Sequence, residues 1–419
     1  MIPIITRLIP ILIRVISIII KLIPIIIRLI PIIIRLIPII IKLIPIIIRV
    51  ISIIIRLIPI IIILDTVLHN SMQDIIFIDG GSLPTPEGLT RDWVKAVAEN
   101  RNEDEKLFSI VREAFQRKID VGVHVPTYPQ FRDMIGQFLD IIKDEKNCYE
   151  PYILKEENAK ILELEIIDEV AKQYREEIGE TLEVRVCVAG PTDLYLQAFG
   201  TTNYVDAYHV LALDIENFIK EAFKLAKNFK IKVIALDEPS LGMNDRIEFS
   251  DADIISALTL TSTYARKQGV DVEIHLHSPL KYRLVCETPI NVIGFEYAAT
   301  PSYLNLLDKK VLEESNTYIR LGVSRTDISS LIGVINETYG VNAWKEKEYM
   351  QKIVTDLETP EVVKKRLETA YSVLGDRIKY ASPDCGLAFW PDQELAFKLL
   401  GNTAKGINEF NAEKKDTEK

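Results

Sequence analysis

His275, His277, Glu296 and Cys385 are the side chains of this 419-residue chain whose types and spacing best suit chemistry. Imidazole, carboxylate and thiolate together form a borderline-soft donor set that fits Zn²⁺. A catalytic zinc keeps about three protein ligands and one open position. A thiol entering that opening, with an ordinary pKa of about 8.5, gives up its proton and stays nucleophilic at neutral pH. The two histidines alternate along one extended run, VEIHLH (272–277), so both point to the same side. Glu296 lies near the end of a second run, VIGFEY (292–297). Cys385 follows a third, IKYAS (378–382), in the turn Pro383–Asp384–Cys385–Gly386. Ligands this far apart in sequence converge when their strands share one parallel sheet.

The chain from Met72 onward has the pattern of such a sheet. β-rich runs at 75–79, 121–125, 184–190, 232–237, 272–277, 292–297, 318–323 and 378–382 alternate with amphipathic stretches such as 158–178, 214–229 and 357–375. Strand–helix alternation implies parallel pairing, and eight such units are the count of a TIM (β/α)8 barrel. A doubly wound sheet is the second reading. Against it, the first run leads into GGSLPTP, which lacks the G-x-G-x-x-G of a dinucleotide fold. Polar residues gather where the barrel strands would end, the face on which such barrels carry their active sites. They are Gly81 and Ser82, His124, Asp237–Glu238–Pro239, the two histidines, Glu296, then Ser324, Arg325 and Asp327, then Asp384–Cys385.

Residues 1–64 are of another kind, a heptad array close to IPIIIRL with a basic residue at 7, 14, 21, 28, 35, 42, 49 and 56. No uncharged stretch before Arg56 exceeds six residues, whereas a membrane-spanning helix needs about 20 mostly apolar ones. Proline four residues before most of the basic positions breaks a helix ladder, and the recurring charge does not suit a secretory signal. We expect 1–71 to be a low-complexity Ile/Pro/Arg extension outside the native fold, with Met72 the natural start and 72–419 the catalytic barrel. Binding at a membrane surface is the second reading of the extension. Of the 50 basic and 60 acidic residues, eight and one fall in 1–71, leaving 42 and 59 for the rest. That acidic balance argues against a nucleic-acid partner. Cys148, Cys187, Cys286 and Cys385 show no C-x-x-C or disulfide-type spacing, which fits a reducing, cytoplasmic compartment.

Gly81–Ser82–Leu83–Pro84, Asp237–Glu238–Pro239, His275-x-His277, Glu296 and Pro383–Asp384–Cys385–Gly386–Leu387 together resemble the C-terminal catalytic barrel of cobalamin-independent methionine synthases. The resemblance covers residues 72–410 and nothing of the duplicated N-terminal half that the long enzymes carry. It implies that the Gly81–Ser82 turn binds the amino-acid substrate, that Asp237 holds the homocysteine amino group with Glu238 beside it, and that His275, His277, Glu296 and Cys385 hold zinc. Four departures stand out. His277 replaces a Cys, and Met243 replaces a Glu that touches folate in the long enzymes. The acidic substrate ligand after the second strand is missing from His124-Val-Pro-Thr-Tyr-Pro-Gln, and Asp327 stands where the family has its catalytic His.

Loss of the folate features and of the N-terminal half is similar to the short archaeal members, which take methyl from a methylated corrinoid or corrinoid protein. Two imidazoles, one carboxylate and one thiolate leave a zinc site formally neutral, one unit less negative than the family's two-cysteine version. A thiolate on the less electron-rich centre is the weaker nucleophile, which favours a reactive donor such as a methylcorrinoid. The resemblance thus implies a methyltransferase acting on homocysteine, with another thiol such as coenzyme M as an alternative acceptor. A metal-free decarboxylase of the uroporphyrinogen decarboxylase type, or a non-enzymatic partner in a corrinoid complex, are the readings from other classes. The His-x-His, Glu and Cys set argues against the decarboxylase.

Overall fold

Valine, isoleucine and aromatic residues cluster in the runs read above, and an intervening helix obliges successive strands to pair in parallel. The computed structural model describes residues 74–99, 105–244 and 249–417. The chain divides into Met1–Met72 and Gln73–Lys419. The repeat extension expected at 1–71 lies outside the described residues, as does Met72. The strands are β1 Ile76–Phe77, β2 Cys148–Glu150, β3 Ile153–Leu154, β4 Glu183–Ala189, β5 Lys230–Asp237, β6 Asp271–His275, β7 Val292–Phe295, β8 Tyr318–Ser324 and β9 Ile378–Pro383. The helices used below are α1 Glu105–Asp120, α2 Leu162–Ile178, α3 Pro191–Phe199, α4 Val205–Leu225, α5 Asp251–Lys267, α6 Ile328–Tyr339 and α7 Pro360–Leu374.

Seven strands form one curled sheet in the order β1-β9-β8-β7-β6-β5-β4, every pair parallel. Seven of the eight expected strands are present within a few residues of their expected bounds. The eighth, expected at 121–125, is not a continuous strand. Isolated bridges Ile78↔Val125 and Thr127↔Arg185 set this segment between the edge strands β1 and β4. Pro126 and Pro129 have no N–H for a ladder, which is why pairing stops at single bridges. The antiparallel pair β2–β3 was not anticipated.

The period-2 alternation of the strands divides the core in two. Outward residues such as Val186, Val188, Ile234, Ile274 and Ile293 are buried under the helices, each contributing roughly 1.5–3 kcal/mol. Inside the curl, Ile78, Val125, Val233, Val292 and Tyr380 form a separate apolar plug. Past that plug the inward positions turn polar, which is where the site begins. The helices follow the local signals: α5 opens on a Ser250–Asp253 capping box, and α7 on a Thr359 cap with Pro360 at its first position. No helix among the described residues is long and apolar enough to cross a membrane.

Candidate metal centre

Val272, Ile274 and Leu276 take the outward side of β6 and its extension, so Glu273, His275 and His277 are left on the inward side. The same parity on β7 sends Gly294 and then Glu296 inward, and β9 delivers Cys385 in the turn that follows it. Cys385 Sγ lies 3.9 Å from His277 Nε2, and that nitrogen lies 3.6 Å from Glu296 Oε1. Ligand atoms of His275, His277 and Cys385 all fall within 4.8 Å of one another, the one such trio among the described residues. These separations suit donors sharing a single ion at bond lengths near 2.0–2.3 Å.

His275 supplies a further mark of fit. Its Nε2 is buried with no hydrogen-bond partner, an arrangement that is costly unless something meets it. Its Nδ1 accepts from the Arg320 guanidinium, which only donates, so the neutral ring carries its proton on Nε2; a metal bond at Nε2 would take that proton and leave an imidazolate facing Arg320. Burial, followed by the charge of Arg320, holds this imidazole well below its usual range. Burial pushes the Cys385 thiol up to about 12, with Asp237 and Glu296 adding to the rise. It also raises Glu296 against the pull of His277 and Arg320. A divalent ion reverses that preference for uncharged forms.

Asp237 pairs in register with His275 and ends β5 with Oδ1 3.9 Å from His275 Nε2. Burial, then the nearby Asp193, lifts its carboxyl to about 7. Glu238 does not share that opening. It is fully buried, and its two oxygens accept from the amides of Thr192 (2.8 Å) and Asp193 (3.3 Å), fixing the start of α3. Gly81 and Ser82 lie against the Cys385 turn: Leu387 N donates to Ser82 O at 2.9 Å, and a methyl group on Gly386 would run into Ser82 Oγ. Asp384, beside the cysteine, accepts from the amides of Ala298 (2.9 Å) and Ala299 (2.8 Å), which ties the Glu296 loop to the same turn. Asp327 is held by a bidentate pair with Arg325, 3.0 and 2.6 Å, and its charge reaches Glu296. His124 is not brought to the site. It faces outward, exposed, and its Nδ1 accepts from Phe77 N.

No family model matches the chain. A methionine synthase of Thermococcus kodakarensis is 22% identical over 225 residues, 54% of this chain and 56% of that one. Among solved structures, a B12-independent methionine synthase from a Shewanella species, in complex with selenomethionine, aligns over 82% of this chain and 100% of that chain. Its TM-score is 0.56 at 12% identity, a likeness of fold. The chain is methionine synthase-like. It spans a little over half the length of the curated relative it matches. A methyltransferase from Methanosarcina mazei aligns over 81% of this chain and 95% of that chain, with 10% identity and a TM-score of 0.46.

A buried charged layer whose pairing no local sequence pattern announces lies just beneath the candidate ligands. Glu273 accepts from Arg185 Nε at 2.8 Å and from Arg320 Nε at 2.9 Å. Lys118 of α1 reaches Asp79 (2.6 Å) and the carbonyls of Gly81 and Thr127 (2.9 and 2.8 Å), anchoring the first turn. The signals were present: a charge in the middle of VRVCV, VEIHLH and YIRLGV, and a lysine on the apolar face of α1. Such residues are buried only when paired.

Proposed function

We propose that this chain is a zinc-dependent methyltransferase that moves a methyl group onto the sulfur of a small thiol, with homocysteine as acceptor and methionine as product. The donor in this reading is a methylcorrinoid or a corrinoid protein. The observation that carries it is the convergence of His275, His277 and Cys385, with Glu296 against His277, at the strand ends of one parallel sheet. The architecture in this reading is a complete TIM barrel, its ring closed by residues 121–130, and the compartment is the cytoplasm.

His275, His277, Glu296 and Cys385 would hold the Zn²⁺, which would supply the Lewis acidity that keeps a thiol deprotonated near neutral pH. Asp237 receives the ammonium group of the amino-acid thiol, and the hydroxyl and amides of the Gly81–Ser82 turn receive its carboxylate. Glu238 acts from beneath by holding α3 in place. Asp327, oriented by Arg325, takes the proton that the thiol gives up. The sulfur then donates an electron pair to the methyl carbon. The S–C bond forms as the bond from that carbon to the donor breaks, its electron pair leaving with the donor.

Metal analysis of the purified protein is expected to give about one zinc per chain. Incubation with methylcobalamin and homocysteine is then expected to yield methionine, and a parallel reaction with coenzyme M decides the acceptor. Zinc-free protein that methylates neither thiol would sink the reading.

A further inference from the structure

Two arginines share the buried Glu273 carboxylate, and they do different things with their remaining donors. Arg185 reaches the turn after β1 and the segment bridging β1 and β4, with Nη1 3.1 Å from Asp79 O and 3.1 Å from Thr127 Oγ1. Arg320 turns to the strands that carry the metal-ligand candidates. Its Nη1 donates to Ser382 Oγ at 2.7 Å and to the carbonyls of Pro383 and Asp384 at 3.2 Å each, the residues leading into Cys385. Its Nη2 donates to His275 Nδ1. Its plane lies over Gly294, two residues before Glu296, where an added methyl would sit 2.6–2.8 Å from the guanidinium. One side chain, 2% exposed, therefore touches β6, β7 and the end of β9.

We infer that Arg320 is a positioning residue for the metal centre: it sets the orientation of the His275 ring and the path of the Cys385 turn, and the glycine at 294 makes room for it. The inference rests on the zinc reading above. A guanidinium offers five donors in a rigid plane, which suits holding one imidazole, three oxygens of one turn and a carboxylate at once. Lysine keeps the charge and cannot span those partners. A role confined to stability belongs equally to Arg185, which has the same burial and the same Glu273 partner.

The test compares Arg320→Lys with Arg185→Lys in the full chain, using Co²⁺ and Zn²⁺ as probes. Affinity is measured by competition with a chromophoric chelator, geometry by the absorption of the Co²⁺ form, and stability by thermal unfolding. Arg320→Lys is expected to weaken metal binding by about 10–100-fold and to alter the thiolate-to-cobalt band. Arg185→Lys is expected to lower the unfolding temperature without either change. Wild-type affinity and spectrum in Arg320→Lys overturn the inference, and so does equal weakening in both variants. Where Arg320→Lys does not fold, Gly294→Ala displaces the guanidinium without deleting it. Loss of metal affinity there supports the inference, and wild-type affinity overturns it. Wild-type protein that binds neither ion fails the zinc reading itself, an outcome separate from any difference between variants.

Discussion

At the scale of single residues, the chemistry of the centre turns on the proton carried by Cys385. Burial raises its thiol to about 12, and an ion binds the thiolate, so binding expels a proton. Zinc affinity is therefore expected to rise by at least about tenfold for each pH unit between pH 6 and 8, and more steeply where the His275 proton leaves as well. Chelator competition across that range checks the slope, and Cys385→Ala is expected to lose most of the affinity and flatten the remainder. In the metal-free protein the Asp237 carboxyl is lifted to about 7, and a divalent ion beside it favours the ionised form that grips an ammonium group. In Asp237→Asn the KM for homocysteine is expected to rise by about tenfold or more and bound zinc to stay unchanged.

At the scale of elements, the strand-end turns hold one another in place. The turn after β1 and the turn after β9 touch at Ser82 and Gly386, where no side-chain carbon fits. Gly386→Ala is expected to destabilise the protein by about 1–3 kcal/mol, read from urea unfolding. Adding Ser82→Ala is expected to recover part of that loss, because it deletes the oxygen in the way. An additive double mutant would refute the contact as the cause. The β2–β3 pair is fastened by Asp214 of α4, whose Oδ1 accepts from Leu154 N at 2.9 Å while Oδ2 has no partner.

That buried carboxyl bears on the whole molecule. Burial raises Asp214 to about 7, against a lowering bond from Leu154 N. A folded-state value above the unfolded one means that folding is favoured by protonation. The contribution is complete below about pH 4 and is lost as pH rises through 7, amounting to about 4 kcal/mol. Asp237 and Asp384 are lifted to about 7 by burial as well and act in the same direction. Metal-free protein is therefore expected to lose stability between pH 5 and 8, with Asp214→Asn losing less, as chemical denaturation at the two pH values shows. Equal losses in variant and wild type would refute the role of Asp214.

The sequence by itself determined which residues share a face. In a strand that follows from a period of two, so His275 and His277 were placed together and seven strands were legible from runs of β-branched residues. The chemistry of Pro383–Leu387 was legible for a similar reason, being written in consecutive residues. The parity of 121–130 was not, because its prolines leave only single bridges, and His124 accordingly turned out to face away. Only the tertiary structure decided that Arg320 meets Glu273 and the Cys385 turn, and that Glu238 is spent on the amides of α3. Those pairings join residues 45 to 64 positions apart. They are chosen by the need of each buried charge for a partner once the sheet has curled, and no local pattern records that choice.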